Sequence, residues 1–192
     1  MLFRSPANIV SLKGVIDVGY SLGKTSLADA DIQTIVSNAI SGGSLPKDTN
    51  AVYFVLTSSD VKETSGFGSQ YCGWHTHGTI GGSDIKYSFV GDATTQAPSG
   101  CIAVTASNSP NNNIGADGMI SVIYHELSEA VSDPDLNAWY DRRGYENADK
   151  CAWKFGTTQT NAGTWNVQFG TDHYLVQQNW VNGGGGYCAL SY

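Results

Sequence analysis

Positive charge is scarce in this chain. Ten lysines and arginines stand against seventeen aspartates and glutamates, giving a formal net charge of −7 and a pI near 4.8. A nucleic-acid partner is thereby excluded, because such proteins present a basic face to the phosphates. Charge of either sign is low, at 14% of residues, while hydrophobic residues make up 41%. The surface must therefore be solvated by Ser, Thr, Asn, Gln and Gly, a profile common among secreted proteins. No apolar run approaches the roughly 20 residues needed to span a bilayer, so membrane insertion is excluded as well. The start, "MLFRSPANIVSLKG", lacks the apolar core of a signal peptide. No internal repeat or long linker breaks the 192 residues, which suit one compact domain, 1–192.

Cysteine is present in a small even number, Cys72, Cys101, Cys151 and Cys188, with no C-x-x-C pair. That usage suits two disulfides in an oxidising compartment better than a zinc knot. Of the three pairings, Cys72–Cys101 and Cys151–Cys188 is preferred because each closes a local loop.

Periodicity gives an α+β order. Residues 9 to 20 read as one or two strands. Ser26 caps a helix from about Leu27 to Ile40, whose apolar residues fall on one face. "AVYFVLT" (Ala51 to Thr57) reads as a central strand, and Ser58 to Gly82 as loop. "IKYSFVG" (Ile85 to Gly91) and "CIAVTA" (Cys101 to Ala106) read as strands. A second helix opens at Asp117 or Gly118 and runs to Ser132, stopped by Pro134. A short helix is expected around Glu146 to Cys151, then a final strand pair from "TWNVQFG" and "YLVQQNWV", within a β-rich, irregular C-terminal part.

The second helix carries the chemistry. His125 and Glu129 stand four residues apart on one face, where a metal ion can be gripped by both. Glu126 sits about a hundred degrees round, able to reach a water activated by that metal without binding the metal itself. A carboxylate oxygen binds zinc at nearly the distance of an imidazole nitrogen, so Glu129 can fill a ligand place. For the third ligand the stretch after the helix offers Glu146, Asp133, Asp135 and Asp141. So many carboxylates leave zinc or calcium open.

"HELSEAVSDP" (His125 to Pro134) resembles the active-site helix of thermolysin-like zinc peptidases, which reads His-Glu-Leu-Thr-His-Ala-Val-Thr-Asp. Glu129 stands where the second zinc histidine is found. The resemblance implies zinc held by His125, Glu129 and Glu146, with Glu126 as general base. It also implies that Asp149 holds the other N–H of His125 from behind. A downstream histidine stabilises the oxyanion in those enzymes, which gives that role to His173, a residue that otherwise reads as a strand-end histidine. The order of elements agrees with a zincin-like fold: a backing helix, a mixed sheet, then the active-site helix. His75 and His77, in "CGWHTHG", read as structural rather than as a second metal pair. The tryptophans read as core, with Trp139 the one to line a cleft.

A second resemblance is longer. "VYFVLTSSDV", "YCGWHTHG", "IKYSFVGD", "NIGADGMISVIYHELSEAVSDP" and "YLVQQNWV" are similar to the plant Exordium and phosphate-induced-protein family and its microbial relatives. The intact His-Glu-x-x-Glu favours the microbial, metal-binding side. This resemblance implies a secreted protein with a leader upstream of Met1. The expectation is a secreted zinc metalloendopeptidase acting on a protein or peptide. The alternative is a non-catalytic cell-wall module holding a structural calcium ion and binding a glycan or protein. The sequence leaves oligomeric state open.

Overall fold

A computed structural model describes residues 9–191, and the chain is a single-domain α+β fold with few helices and several small sheets. Residues 1–8, which carry most of the stretch searched for a leader, lie outside the described residues. No helix among those described is long and apolar enough to cross a membrane.

The main sheet has three strands: β2 (Val52–Thr57), β4 (Gly73–Ile80) and β5 (Ser83–Gly91), in the order β2-β5-β4. β2 runs parallel to β5, and β4 runs antiparallel to it, so the sheet is mixed. The sequence reading put Ala51 to Thr57 at the centre, but β5 holds that place. β5 is buried on both faces, whereas Leu56 of β2 is exposed. The second correction is larger. β4 lies wholly inside the stretch read as loop. Its two glycines depress strand propensity, yet Gly81 and Gly82, at φ +55° and +75°, close a two-residue hairpin onto β5. Tertiary pairing overrides the local composition.

Before the sheet come β1 (Ser26–Leu27), paired in parallel with β3 (Lys62–Glu63), and α1 (Asp29–Ser41). Ser26 is therefore a strand residue and not a helix cap. The first turn of α1 is closed by Asp31, whose Oδ2 accepts from the Ala28 N–H at 2.7 Å. Residues 9 to 20 form no strand. Ile9, Leu12 and Val15 are 78% or more exposed, and β-propensity without a partner strand does not make a strand. α1 covers one face of the sheet through Ile32 and Val36, against Tyr53, Val55, Ile85, Tyr87 and Phe89. α3 (Ile114–Ser132) covers the other, where Gly73 meets Val122.

Between them, α2 (Pro98–Cys101) replaces the strand expected at Cys101 to Ala106. Pro98 opens this single turn and the Cys72–Cys101 disulfide ties it to the start of β4. The second disulfide joins Cys151 to Cys188, so both bonds follow the expected pairing. At Glu146 to Cys151 only a 3-10 turn forms, over Asp149–Cys151. The C-terminal part is β-rich, with a different pairing from the one expected. β6 (Val167–Phe169) pairs β7 (Asp172–Tyr174), and β8 (Asn179–Val181) pairs β9 (Tyr187–Ala189).

Candidate metal centre

α3 is capped by Asn113, whose side-chain oxygen accepts from the Ala116 N–H. Its buried face starts small, with Gly115 and Gly118, and ends acidic, with Glu126 and Glu129. The glycines are needed for close approach: a Cβ on Gly118 would stand 3.0 Å from Ile102. On the facing strand, a Cβ on Gly73 would stand 2.6 Å from Val122 Cγ1 and 3.2 Å from Glu126 Oε1. β4 is thus pressed onto α3, and strand alternation turns His75, two residues on, towards the same helix face.

The result is a cluster of six side chains lining a cleft of about 460 Å³. His125 Nε2 lies 3.1 Å from Glu129 Oε1 and 3.5 Å from Asp149 Oδ1. His75 Nδ1 lies 3.5 Å from Glu126 Oε2 and 3.7 Å from Glu129 Oε2, and its Nε2 lies 3.7 Å from Glu146 Oε1. Two backbone donors set the acids in place. The Asp149 N–H donates to Glu129 Oε1 at 3.0 Å, and the Glu146 N–H to Asp149 Oδ2 at 3.2 Å. Glu126, Glu129 and His75 are buried, whereas the Asp149 side chain is 40% exposed at the mouth.

Ligand atoms on a tetrahedral zinc ion with bonds near 2.0 Å stand ~3.3 Å apart. The separations of His125 Nε2 from Glu129 and Asp149 bracket that value. His125, Glu129 and Asp149 form one triad of donor atoms within 4.8 Å of one another, and His75, Glu129 and Glu146 form another. The donor set therefore fits a divalent ion. The crowding of acidic groups acts on their neighbours. Burial pushes Glu146 up, the Glu129 charge adds to it, and its carboxyl rises to about 8. Burial alone would lower His125, but Asp149 and Glu129 outweigh it and hold the imidazole up at about 10. Burial raises Glu126, opposed by its contact with His75.

The expected site residues divide accordingly. The structure brings together His125, Glu126, Glu129, Glu146 and Asp149. Asp149 is not behind His125, however. It faces Nε2, the same nitrogen that Glu129 faces, while Nδ1 is buried without a partner. Asp149 therefore stands on the same side of the His125 ring as Glu129, among the candidate donor atoms. Asp133 is fully buried and accepts from the Asn137 and Ala138 N–H groups, closing the chain after α3. Asp135 pairs with Lys86 at 2.8 Å and Asp141 with Lys150 at 3.1 Å. His77, Asp84 and Asp135 also gather, but Lys86 already supplies the cation there. His173 does not line the cleft: it packs on Trp165 at 4.3 Å between ring centroids.

Two residues were missed. His75 reads as structural when β4 reads as loop; the Gly81–Gly82 hairpin signal would have made it a strand residue facing α3. Trp153, not Trp139, lines the cleft. Its φ of +60° is unusual for a bulky residue, and its N–H donates to Gln177 Oε1 at 2.7 Å. Trp153 remains 43% exposed.

The sequence comparisons agree with one another. The model of the "Phosphate-induced protein 1 conserved region" matches residues 4–174. Protein EXORDIUM-like 3 of Arabidopsis thaliana is 36% identical over 183 residues, covering 85% of this chain and 53% of the relative. Protein EXORDIUM of the same plant is 37% identical over 157 residues, 75% of this chain and 46% of its own length. Protein PHOSPHATE-INDUCED 1 of Nicotiana tabacum is 31% identical over 145 residues, 67% of this chain and 43% of its own. The chain thus spans about half the length of the relatives it matches. No solved structure matches it. With nearly all of its length under one family model and relatives above 30% identity, the chain belongs to the phosphate-induced protein 1, or Exordium, family.

Proposed function

We propose that this chain is a secreted, metal-dependent hydrolase of peptide bonds, a zinc endopeptidase of the microbial, His-Glu-x-x-Glu side of its family with zincin-like architecture. One observation carries the reading. The triad His125, Glu129 and Asp149 lines an open cleft with its donor atoms within 4.8 Å of one another, and the buried Glu126 carboxylate stands beside it. A zinc ion bound by that triad supplies a water of lowered pKa and polarises the scissile carbonyl. Glu126 is the general base, its basicity raised by burial and tempered by His75. Of Glu126 and Glu129, only Glu129 belongs to the triad, which leaves Glu126 free to move a proton.

The walls favour an extended peptide as substrate. β4 pairs with β5 on one side only, and its first residues, Gly73 to His75, line the cleft. An unpaired strand edge over a cleft recognises extended backbone by adding a strand. Trp153 at the rim offers an apolar face to a substrate side chain. Secretion is supported by the two disulfides, which persist in oxidising compartments.

The richness in carboxylates supports a second reading: a non-catalytic cell-wall module with a structural calcium ion, Trp153 binding a glycan or protein. Glu126 separates the two. The test is metal analysis and digestion of an unfolded protein by wild type, Glu126→Gln and Glu129→Ala. The hydrolase reading expects zinc in wild type, its loss in Glu129→Ala, and retained zinc with activity lowered at least 100-fold in Glu126→Gln. Calcium alone, or full activity in Glu126→Gln, selects the module.

A further inference from the structure

Resting on the metal-site reading above, we infer that the cleft holds two divalent ions rather than one, bridged by Glu129. The two oxygens of Glu129 face different partners. Oε1 faces His125 Nε2 at 3.1 Å and Oε2 faces His75 Nδ1 at 3.7 Å. A carboxylate so placed binds two ions, one per oxygen, in the manner of two-metal sites whose ions stand roughly 3.5–4 Å apart. The first ion takes His125, Glu129 Oε1 and Asp149. The second takes His75, Glu129 Oε2 and Glu146, the other group whose donor atoms gather within 4.8 Å.

Three further observations support the second position. Glu146 is 9% exposed, and its Oε1 is sealed from solvent without a hydrogen-bond partner while pointing at His75. A buried carboxylate oxygen left bare is costly unless something positive stands before it. His75 meets the cluster at both ring nitrogens: Nε2 lies 3.3 Å from the Asp133 carbonyl and 3.7 Å from Glu146 Oε1, and Nδ1 lies 3.5 Å from Glu126 Oε2 and 3.7 Å from Glu129 Oε2. The site also gathers four carboxyl groups, Glu126, Glu129, Glu146 and Asp149, and among the described residues no lysine or arginine pairs with any of them. One imidazole and two carboxylates per ion suit zinc or manganese rather than a soft, thiolate-seeking metal. The second ion would give the cleft two Lewis acids on one face.

The experiment is a metal count on the whole chain, stripped and reloaded with Zn²⁺ or Mn²⁺. Mass spectrometry of the metal gives stoichiometry, and paramagnetic resonance of the manganese form reports coupling between ions. The variants are His75→Ala, Glu146→Gln and Asp149→Asn, each checked for folding by circular dichroism. The expected result is two ions in wild type, with the spectrum of an exchange-coupled pair. Each variant holds one ion with the spectrum of isolated manganese. One ion in wild type, kept by His75→Ala and Glu146→Gln and lost by Asp149→Asn, overturns the second site and leaves the first intact. One ion lost by all three means a single shared ion and overturns the pair. No metal in folded wild type overturns this inference and the metal-site reading together. Glu146→Gln is nearly isosteric, so loss of an ion there cannot be laid to unfolding.

Discussion

Replacing Gly73 with alanine tests whether the tight seat of β4 on α3 is what assembles the cleft. The added methyl would stand 2.6 Å from Val122 Cγ1 and 2.9 Å from the Phe89 carbonyl oxygen. Ordinary contact between carbons is about 3.5–4.0 Å, so the overlap is about 1 Å. The Phe89 oxygen belongs to the backbone of the central strand and has no rotamer to escape into. β4 must therefore lift from α3, at the overpacking cost of about 1–3 kcal/mol. At this chain length each kcal/mol lowers Tm by about 2–4 °C, which gives a fall of about 2–12 °C. The same lift separates His75 from Glu126 and Glu129, so metal affinity should drop by about 10–100-fold, as when a ligand loses its support. Gly78→Ala is the control on the same strand. There the new methyl meets Gln33 Nε2 at 2.9 Å, the free end of a flexible side chain, and stability should stay within about 0.5 kcal/mol. The assays are thermal unfolding and titration with zinc. A Gly73→Ala protein that melts and binds metal like wild type would falsify the idea that close approach of β4 seats the site.

Three other outcomes are expected. In the metal-free protein, Glu146 is raised from 4.5 to about 8 and His125 from 6.5 to about 10. Folded-state values above the unfolded ones mean that their stabilisation is complete below the unfolded values and lost as pH rises through the folded ones. Melting of the stripped chain should therefore fall between pH 5 and pH 9; a flat or rising curve would contradict the charge crowding. Changing both Cys72 and Cys101 to Ser removes a link across a sequence separation of 29. On the chain-entropy account that costs about 3–4 kcal/mol, to be read from the urea midpoint, and no change would show that α2 and β4 are held by packing alone. His173→Ala should leave metal binding and hydrolysis within about twofold, since the ring packs on Trp165 outside the cleft; a large loss of activity would restore it to the site.

The helices were legible because their signals are local. The 3.6-residue spacing of α3 put His125, Glu126 and Glu129 in their relative places before any fold was known, and the cysteine spacing paired both disulfides. What stayed hidden depends on partners far away in sequence. β4 carries two glycines and two histidines among its eight residues, and the hairpin with β5 is what holds it as a strand. With that strand misread, His75 had no reason to meet α3. Residues 9 to 20 failed in the opposite sense, with strand-forming residues and no neighbour. The carboxylates after α3 were a list of equals in the sequence. The capping role of Asp133, the pairing of Asp135 with Lys86 and of Asp141 with Lys150 all come from turns that periodicity does not encode.

The six side chains of the cleft come from three separate stretches of chain: a strand, a helix far downstream, and a turn beyond the helix. None of these stretches holds more than half of the donors, so no local piece of structure carries the site. Contacts between distant segments form late in folding, once the loops between them have closed. The nascent or partly unfolded chain therefore has the residues of the centre without the centre. For a protein whose proposed chemistry cuts exposed polypeptide, that order of events matters. The proposed centre would exist only once β4, α3 and the turn beyond it have come together.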